Sequence, residues 1–539
     1  MRQWMVAAKK ADFYAIAEKF HVDPVVARII RNREVIGEKN IRIYLGGNLS
    51  DLSDPHQMKD MDRLGEILAQ KIRKQVHIRI IGDYDVDGVT SSHLFLTALR
   101  RVGAKVDVVI PHRIQDGYGL SLHLLQQAKE DGVDTILTCD NGIAAIDEIA
   151  WAKAQKMTVL VTDHHAVPFE EHEGRRTEKK SLADAVVNPH QQDCRYPYKE
   201  LCGAGVAWNV IRVLYENYDM DKREAEDLLD FVAMATVCDV MSLTGENRIL
   251  VKEGLKRIRH TKNIGLQALM QACNVQPENI SAYHFGYVLG PCVNATGRLD
   301  TARHALRLFE TGQETEAEEI ARDLVDLNQE RKELTLQGVE MAKKLCEEGG
   351  YEKDPVLVLF LPDVHESIAG LIAGRIREMY NRPVFVLTRG EEGVKGSGRS
   401  TENYSMYENM CGCAELFTKF GGHPMAAGLS LPEENVEKFR RKINENCPLT
   451  VEEVCPDIHI DMAMPVGYAS TELVHQFALL EPFGKDNPSP LFADRNLSIS
   501  RMWVIGKNRN VLRMSVLSEY GQPVPVIFCL LYTSPSPRD

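Results

Sequence analysis

The segment Gly82-Asp83-Tyr84-Asp85-Val86-Asp87-Gly88 sets three carboxylates at i, i+2 and i+4 of one short loop. Carboxylates this close repel one another unless their pKa values rise or cations sit among them, so metal binding is the economical reading. Asp-x-Asp-x-Asp-Gly is also the first half of an EF-hand calcium loop, which requires a preceding helix and a bidentate Glu at position twelve. Here position twelve is Leu94, and the apolar run His77–Ile81 precedes the loop as a strand. Further acidic and imidazole groups stand at comparable places. Asp140 closes Ile136-Leu-Thr-Cys139, Asp163-His164-His165 closes Val159-Leu-Val-Thr162, and Asp239 follows the helical Phe231–Cys238. Oxygen ligands mixed with imidazole favour a borderline transition ion, Mn²⁺ first and Mg²⁺ second; no thiolate lies in a ligand pattern that would favour zinc. Two such cations about 4 Å apart, bridged by a carboxylate such as Asp140, can generate hydroxide and stabilise an in-line displacement at phosphorus. The chemistry implied is phosphodiester or phosphoanhydride hydrolysis.

The elements that must position these groups are readable from hydrophobic periodicity. Short apolar runs at His77–Ile81, Lys105–Ile110, Thr135–Thr138, Thr158–Thr162 and Ala185–Val187 alternate with helical patterns. That alternation marks βαβ units of a parallel sheet covered on both faces, in which ligands gather at the carboxyl edge. The fold class expected is α/β. A parallel-sheet domain over 66–300 follows an N-terminal extension, 1–65, and leads through a long charged connector helix, 301–350, into a smaller α/β domain, 351–450. Helical patterns are expected around Val206–Tyr215 and Glu224–Val237. After Cys447-Pro448 the pattern turns to short strands such as Arg501–Gly506 and Val511–Leu517, which open a small β-barrel over 451–532. Residues 533–539 continue no strand, so the barrel is expected to be incomplete and the tail anomalous.

The chain has 539 residues, of which 44% are apolar and 26% charged, with a net charge of −13. An acidic balance excludes a protein coated with generic nucleic-acid-binding charge but leaves room for a local basic channel. No run approaches the roughly 18 apolar residues of a membrane span, and Met1–Lys10 holds no apolar signal core, so the expected address is the cytoplasm. Twelve cysteines with no Cys-x-x-Cys pair read as reduced, mostly buried thiols.

Asp83-Tyr-Asp85-Val-Asp87-Gly88, Cys139-Asp140-Asn-Gly142, Asp163-His164-His165 and Ala235-Thr-Val-Cys-Asp239 resemble the four ordered motifs of the DHH phosphoesterase superfamily. Within it the chain is most similar to the RecJ-like exonucleases, from about residue 20 to 530. The resemblance implies that Asp85, Asp87, Asp140, His164 and Asp239 ligate two Mn²⁺ ions. Asp83, Asp163 and His165 would orient ligands or contact the scissile phosphate, with Asp83 also open as a ligand. Gly396-Ser397-Gly398-Arg399 and Gly421-Gly422-His423 resemble the substrate-binding motifs of the DHH-associated domain. Taken alone, Gly421-Gly422 also reads as a tight turn. A pocket for the terminal 5′-phosphate would be built from Arg113, Arg298, Ser397 and Arg399. The stretch before Arg298, Gly290-Pro-Cys-Val-Asn-Ala-Thr-Gly, departs from the family's usual Asn-Arg-x-Asn-Ala-Ala-Gly.

Leu480–Phe492 resembles the entry to the family's oligonucleotide-binding barrel, with Asp486 where Gly is more usual. Arg501, Trp503, Lys507 and Arg509 are its candidates for base stacking and phosphate contact, Trp503 reading equally as core. The function implied is a single-strand-specific 5′→3′ DNA exonuclease that releases 5′-mononucleotides in DNA repair and recombination. A groove between two lobes, narrow enough for one strand, would exclude duplex without reading bases. By family resemblance the partners are single-stranded DNA, a helicase and a single-strand-binding protein, for a monomer without membrane attachment. Two alternatives stay open: a DHH phosphodiesterase of short oligonucleotides or cyclic dinucleotides, and an inactive DNA-binding scaffold.

Overall fold

The computed structural model describes residues 4–113, 116–117, 119–172, 175–390, 393–450, 458–506 and 511–529. The chain forms two compact units, residues 6–325 with 460–539, and residues 1–5 with 326–459. The first is built on five parallel strands, β1 (Ile78–Ile81), β2 (Val106–Val109), β3 (Thr135–Cys139), β4 (Thr158–Thr162) and β5 (Ala185–Val187), in the order β2-β1-β3-β4-β5. β1, β3 and β5 are buried along their whole length, as Val/Ile-rich strands covered on both faces should be. The one charge inside β1, Arg79, is 7% exposed and is satisfied by Asp107, its register partner on β2, at 2.6 and 2.9 Å and by Asp131 at 2.8 Å.

Side chains alternate across the strands. Ile80, Leu137 and Leu160 pack on one side with α4 (Met61–Arg73), α5 (Val86–Arg101) and α8 (Gly203–Glu216); Ile81, Ile136, Val159 and Val161 pack on the other with α6 (Leu122–Glu130) and α7 (Ile146–Ala154). The helical stretch expected over Glu224–Val237 is interrupted. A short helix, Lys222–Glu226, ends before α9 (Leu229–Cys238), because the Ala225 carbonyl accepts from the Trp208 indole at 2.8 Å and from the Leu228 N–H at 3.2 Å. α10 (Gly245–Ile258) then packs back on α9.

The N-terminal helices α1 (Phe13–Phe20), α2 (Pro24–Asn32) and α3 (Glu38–Gly46) share a core with Met464, Leu473 and Leu480. Two arginines fasten this seat. Arg33 pairs with both Asp461 oxygens at 2.6 and 3.0 Å. Arg248, 1% exposed, lies over the Tyr44 ring and donates to the carbonyls of Tyr44, Leu479 and Leu480 at 2.8–2.9 Å. Asp486 adopts φ +60°, a left-handed conformation that Gly takes most easily and Asp tolerates. The last strands, β11 (Ser498–Ile505), β12 (Val511–Leu517) and β13 (Pro523–Cys529), form an antiparallel meander, and β11 is exposed throughout, Trp503 included. Lys507, Arg509 and the tail 533–539 lie outside the described residues.

α12 (Glu314–Glu348) runs 35 residues and carries the chain from the first unit into the second. The second unit holds β6 (Leu357–Phe360), β7 (Val384–Gly390), β8 (Gly393–Arg399), β9 (Lys419–His423) and β10 (Ala426–Leu431) in the order β9-β10-β8-β7-β6, with α13 (Ala369–Tyr380) against β7 and β8. Only β6 and β7 run parallel. Gly421-Gly422 is therefore strand, not a tight turn; the turn of this hairpin falls at Pro424-Met425.

Candidate metal centre

The carboxyl edge of the first sheet gathers Asp83 two residues past β1, Arg113 past β2, Asp140 directly after β3 and Asp163-His164-His165 directly after β4. Local backbone chemistry explains the loop after β1. Asp85 caps α5 by accepting from Gly88 N at 3.0 Å, and a Cβ on Gly88 would lie 2.4–2.5 Å from the Asp83 backbone, so only glycine fits. Asp140 itself holds φ +61°, a left-handed conformation that Asp tolerates. Asp87, in the first turn of α5, is 1% exposed and accepts from Gly203 N at 2.6 Å and Ala204 N at 2.8 Å, the free N–H groups that open α8.

These side chains converge. His164 Nε2 stands 3.1 Å from Asp140 Oδ1, 3.6 Å from Asp239 Oδ2 and 3.7 Å from Asp87 Oδ2. Three sets, Asp83–Asp85–Asp140, Asp87–His164–Asp239 and Asp140–His164–His165, each bring their ligand atoms within 4.8 Å of one another. All five expected ligands and both Asp83 and His165 are in these sets. Asp163 is outside them and acts as a hub: its carboxylate accepts from the N–H groups of Ile143 (2.9 Å), His164 (2.7 Å) and His165 (3.1 Å) and bonds His165 Nδ1 at 2.8 Å.

The electrostatics call for cations. Burial and the neighbouring Asp85 push the Asp83 carboxyl well above the usual carboxylate range, and burial with Asp87 and Asp85 does the same to Asp140. Asp87 is raised by burial and by Asp85. Like charges ~4 Å apart cost about 4 kcal/mol at an effective dielectric near 20. Asp83 Oδ1 is buried without a hydrogen-bond partner, which a cation would supply. By contrast Asp163, despite burial, is held below the usual range by His165. Burial alone would depress His165, but Asp163 raises it to about 9. A donor set of carboxylates and imidazole, without thiolate, fits a divalent cation.

Arg113 lies over the Tyr84 ring, 4.5 Å from its centroid. Arg298 follows Gly297 on α11 (Gly290–Leu299), at a point where a Cβ on Gly297 would sit 2.3 Å from Tyr84 O, so α11 rests directly on the metal-binding loop. The altered residues before Arg298 keep this contact, and Asn294 Oδ1 accepts from Val86 N at 3.2 Å. In the second unit Ser397, Gly428 and Gly421 share one rung and Arg399, Ala426 and His423 another, two residues along the same sheet face. That face is the one on which α13 packs at β7 and β8, and it opens to solvent at Gly421, His423 and Gly428; Gly396, Gly398 and Ala427 point to the core on the opposite side. Sequence reasoning missed the N–H pair of Gly203 and Ala204, the Asn294 contact, and Asn188, whose side chain donates to His165 O at 2.9 Å. The only signal for the first was a small-residue helix start, Cys202-Gly-Ala-Gly205.

Comparison with known proteins agrees with this geometry. The family models for the DHH family N-terminal domain, the DHHA1 domain and the RecJ OB domain match residues 77–236, 353–447 and 460–529. The single-stranded-DNA-specific exonuclease RecJ of Haemophilus influenzae is 33% identical over 518 residues, 92% of this chain and 88% of that protein. The chain belongs to the RecJ family of single-stranded-DNA-specific exonucleases. RecJ of Bacillus subtilis is also 33% identical, over 94% of this chain, which spans 63% of that relative's length. A crystal structure of Thermus thermophilus RecJ in complex with Mn²⁺ superposes with a TM-score of 0.81 at 26% identity, covering 98% of this chain and 79% of the other. Among the described residues, no helix is long and apolar enough to cross a membrane.

Proposed function

We propose that this RecJ-family chain is a 5′→3′ exonuclease of single-stranded DNA that releases 5′-mononucleotides by two-metal hydrolysis, with Mn²⁺ preferred and Mg²⁺ accepted. The observation that carries the reading is the meeting of His164 with Asp87, Asp140 and Asp239 within 3.7 Å, at an edge where the carboxylates are costly without cations. Asp85, Asp87, Asp140, His164 and Asp239 would hold the ions, Asp83 completing a ligand set. Bound there, divalent cations would stabilise negative charge on the phosphate and lower the pKa of the attacking water.

The chain's own groups supply the rest. Gly203 and Ala204 N–H fix the Asp87 carboxylate, and Asp163 fixes His165 by its Nδ1, leaving Nε2 to meet a phosphate oxygen or pass a proton to the leaving oxygen. Arg113 and Arg298, whose charges both act on Tyr84, would receive the terminal 5′-phosphate. On the second unit, Ser397, Arg399, Gly421, Gly422 and His423 would be substrate-binding residues. A cytoplasmic enzyme of DNA repair and recombination, monomeric and working with a helicase and a single-strand-binding protein, accords with the family.

Turnover of a 5′-labelled long strand compared with a labelled dinucleotide tests the reading. The long strand should be degraded from its 5′ end with the higher kcat/KM. Preferential turnover of the dinucleotide would replace the proposal with a short-oligonucleotide phosphodiesterase.

A further inference from the structure

α9 ends at Asp239, and the residues on either side of it face two ways. Asp239 meets His164, whereas Val237 and Val240 line a separate cavity of about 690 Å³ within the same unit. The wall of that cavity carries Lys252, Lys256 and Arg259 from α10 and the residue after it, and Lys485 from the 480–492 segment, against a single carboxylate, Glu481. Lys252 is held by Leu45 O at 3.0 Å and Lys256 by Glu253 at 2.6 Å; Arg259 and Lys485 are exposed and make no ion pair among the described residues. In a protein of net charge −13 this is a local surplus of positive charge.

The opposite wall is aromatic. Tyr283 and Tyr287 stack with ring centroids 5.0 Å apart and planes 24° off parallel, and Tyr283 is 50% exposed. Spaced i and i+4, they lie on one helical face, and Tyr287 falls within a widened turn, Phe285–Leu289, whose i→i+5 bonding precedes α11. Such turns recur at functional sites. A tyrosine pair half open to solvent, beside cations with few counter-charges, is the combination that holds unpaired bases while tracking their phosphates.

We infer that the cavity bounded by Tyr283, Tyr287, Arg259 and Lys485 is a binding subsite for single-stranded nucleic acid, taking the nucleotides on the 3′ side of the bond cut at the metal centre. The inference rests on the reading of single-stranded DNA as substrate and deepens it. Bases stack on the tyrosine pair without sequence preference, and Arg259 and Lys485 each neutralise a phosphate. Lying one residue from Asp239, the subsite sets how much strand must be threaded past the centre for tight binding.

The test is equilibrium binding of fluorescein-labelled dT20 and dT4 to the full chain in EDTA, so that hydrolysis plays no part. The variant Tyr283→Ala/Tyr287→Ala should bind dT20 about tenfold or more weakly, the loss expected from stacking of one or two bases, whereas Tyr283→Phe/Tyr287→Phe keeps the affinity. Arg259→Ala should lower the slope of log affinity against log salt by about 0.7, one phosphate's worth on a single strand. A 5-iodouracil-substituted strand should photocrosslink to the segment holding Tyr283 and Tyr287, which a merely structural role would not produce. Wild-type affinity in the double alanine variant, or crosslinking confined to other segments, would overturn the subsite. Loss of binding in that variant from a wild-type chain that hydrolyses no strand in Mn²⁺ would instead uphold the subsite and defeat the proposed hydrolysis.

Discussion

The N–H of Gly203 donates to Asp87 Oδ2 at 2.6 Å, although 116 residues separate the two. The start of α8 is thereby pressed against the first turn of α5, and a Cβ on Gly203 would lie 2.6 Å from Asp140 Cβ. One glycine thus lets a helix dipole orient one expected ligand while making room for another. Gly203→Ala must push α8 away from both. Apparent Mn²⁺ affinity, read from the metal dependence of activity, should fall about 10–100-fold, the usual cost of losing a ligand's orienting partner. Unchanged affinity would mean that α8 does not set the geometry of Asp87.

Asp140 touches every ligand set except that of Asp87 and Asp239, and its carboxyl is pushed up by four neighbouring carboxylates besides burial. Asp140→Asn removes one charge from that repulsion. Without metal the variant should melt at a higher temperature than the wild type. The wild type should gain stability on adding Mn²⁺, whereas the variant gains little and loses hydrolysis by at least about 10³-fold. Calorimetry with and without Mn²⁺ reads the stability outcomes, and mononucleotide release reads the hydrolysis.

Asp163 meets three backbone N–H groups and one imidazole, so its loss acts through His165. Asp163→Asn keeps the shape but replaces two acceptor oxygens by one and removes the charge that raises His165 to about 9. The His165 proton should then titrate lower by NMR. Turnover should fall by roughly two to three orders of magnitude while the chain stays folded, as for other orienting carboxylates.

Stability should depend on pH through His93, which shares α5 with Asp87 but lies outside the ligand sets. His93 is fully enclosed between Phe231 and Phe309, and burial, with Arg100 and Arg101, drives its pKa down to about 3. Above pH 6.5 the ring is neutral folded and unfolded, so it contributes no pH dependence. As pH falls below 6.5 only the unfolded chain takes up the proton, and stability is lost down to about pH 3. At pH 5.5 the loss is on the order of 1 kcal/mol. The buried Asp230, raised to about 6 by burial, works in the opposite sense, since the folded chain takes its proton first as pH falls. Comparing wild type with His93→Leu by denaturant titration at pH 7 and 5.5 cancels the Asp230 contribution and isolates that of His93.

The sheet and most of the centre were legible because they obey local rules. Apolar runs of three to six residues announced β1 to β5, and Asp83, Asp140 and Asp163 follow strands whose parallel order brings those ends together. Most of the connector was equally plain, for α12 carries helical periodicity and little turn chemistry over its 35 residues, but the helix expected over 301–350 is broken: Ala302–Glu310 is a separate helix and α12 begins at Glu314. What was illegible is non-local. The break before α9 depends on a carbonyl that Trp208 captures, the Gly203 and Asn294 contacts bridge more than a hundred residues, and Tyr287 falls in a widened turn that no residue type announces. Gly421-Gly422, taken alone, permitted a turn reading because glycine serves both strand and turn; its rung with Gly428 decides for strand.

The central claim is that converging carboxylates and His164 make this RecJ-family chain a metal-dependent exonuclease acting from the 5′ end of single strands. The most direct measurement is release of mononucleotides from a 5′-phosphorylated single strand and from the same strand in duplex, each with Mn²⁺ and with EDTA. The account predicts 5′-mononucleotides from the single strand in Mn²⁺ only, with blunt duplex left intact. Release that persists in EDTA, or that begins at the 3′ end, would contradict it.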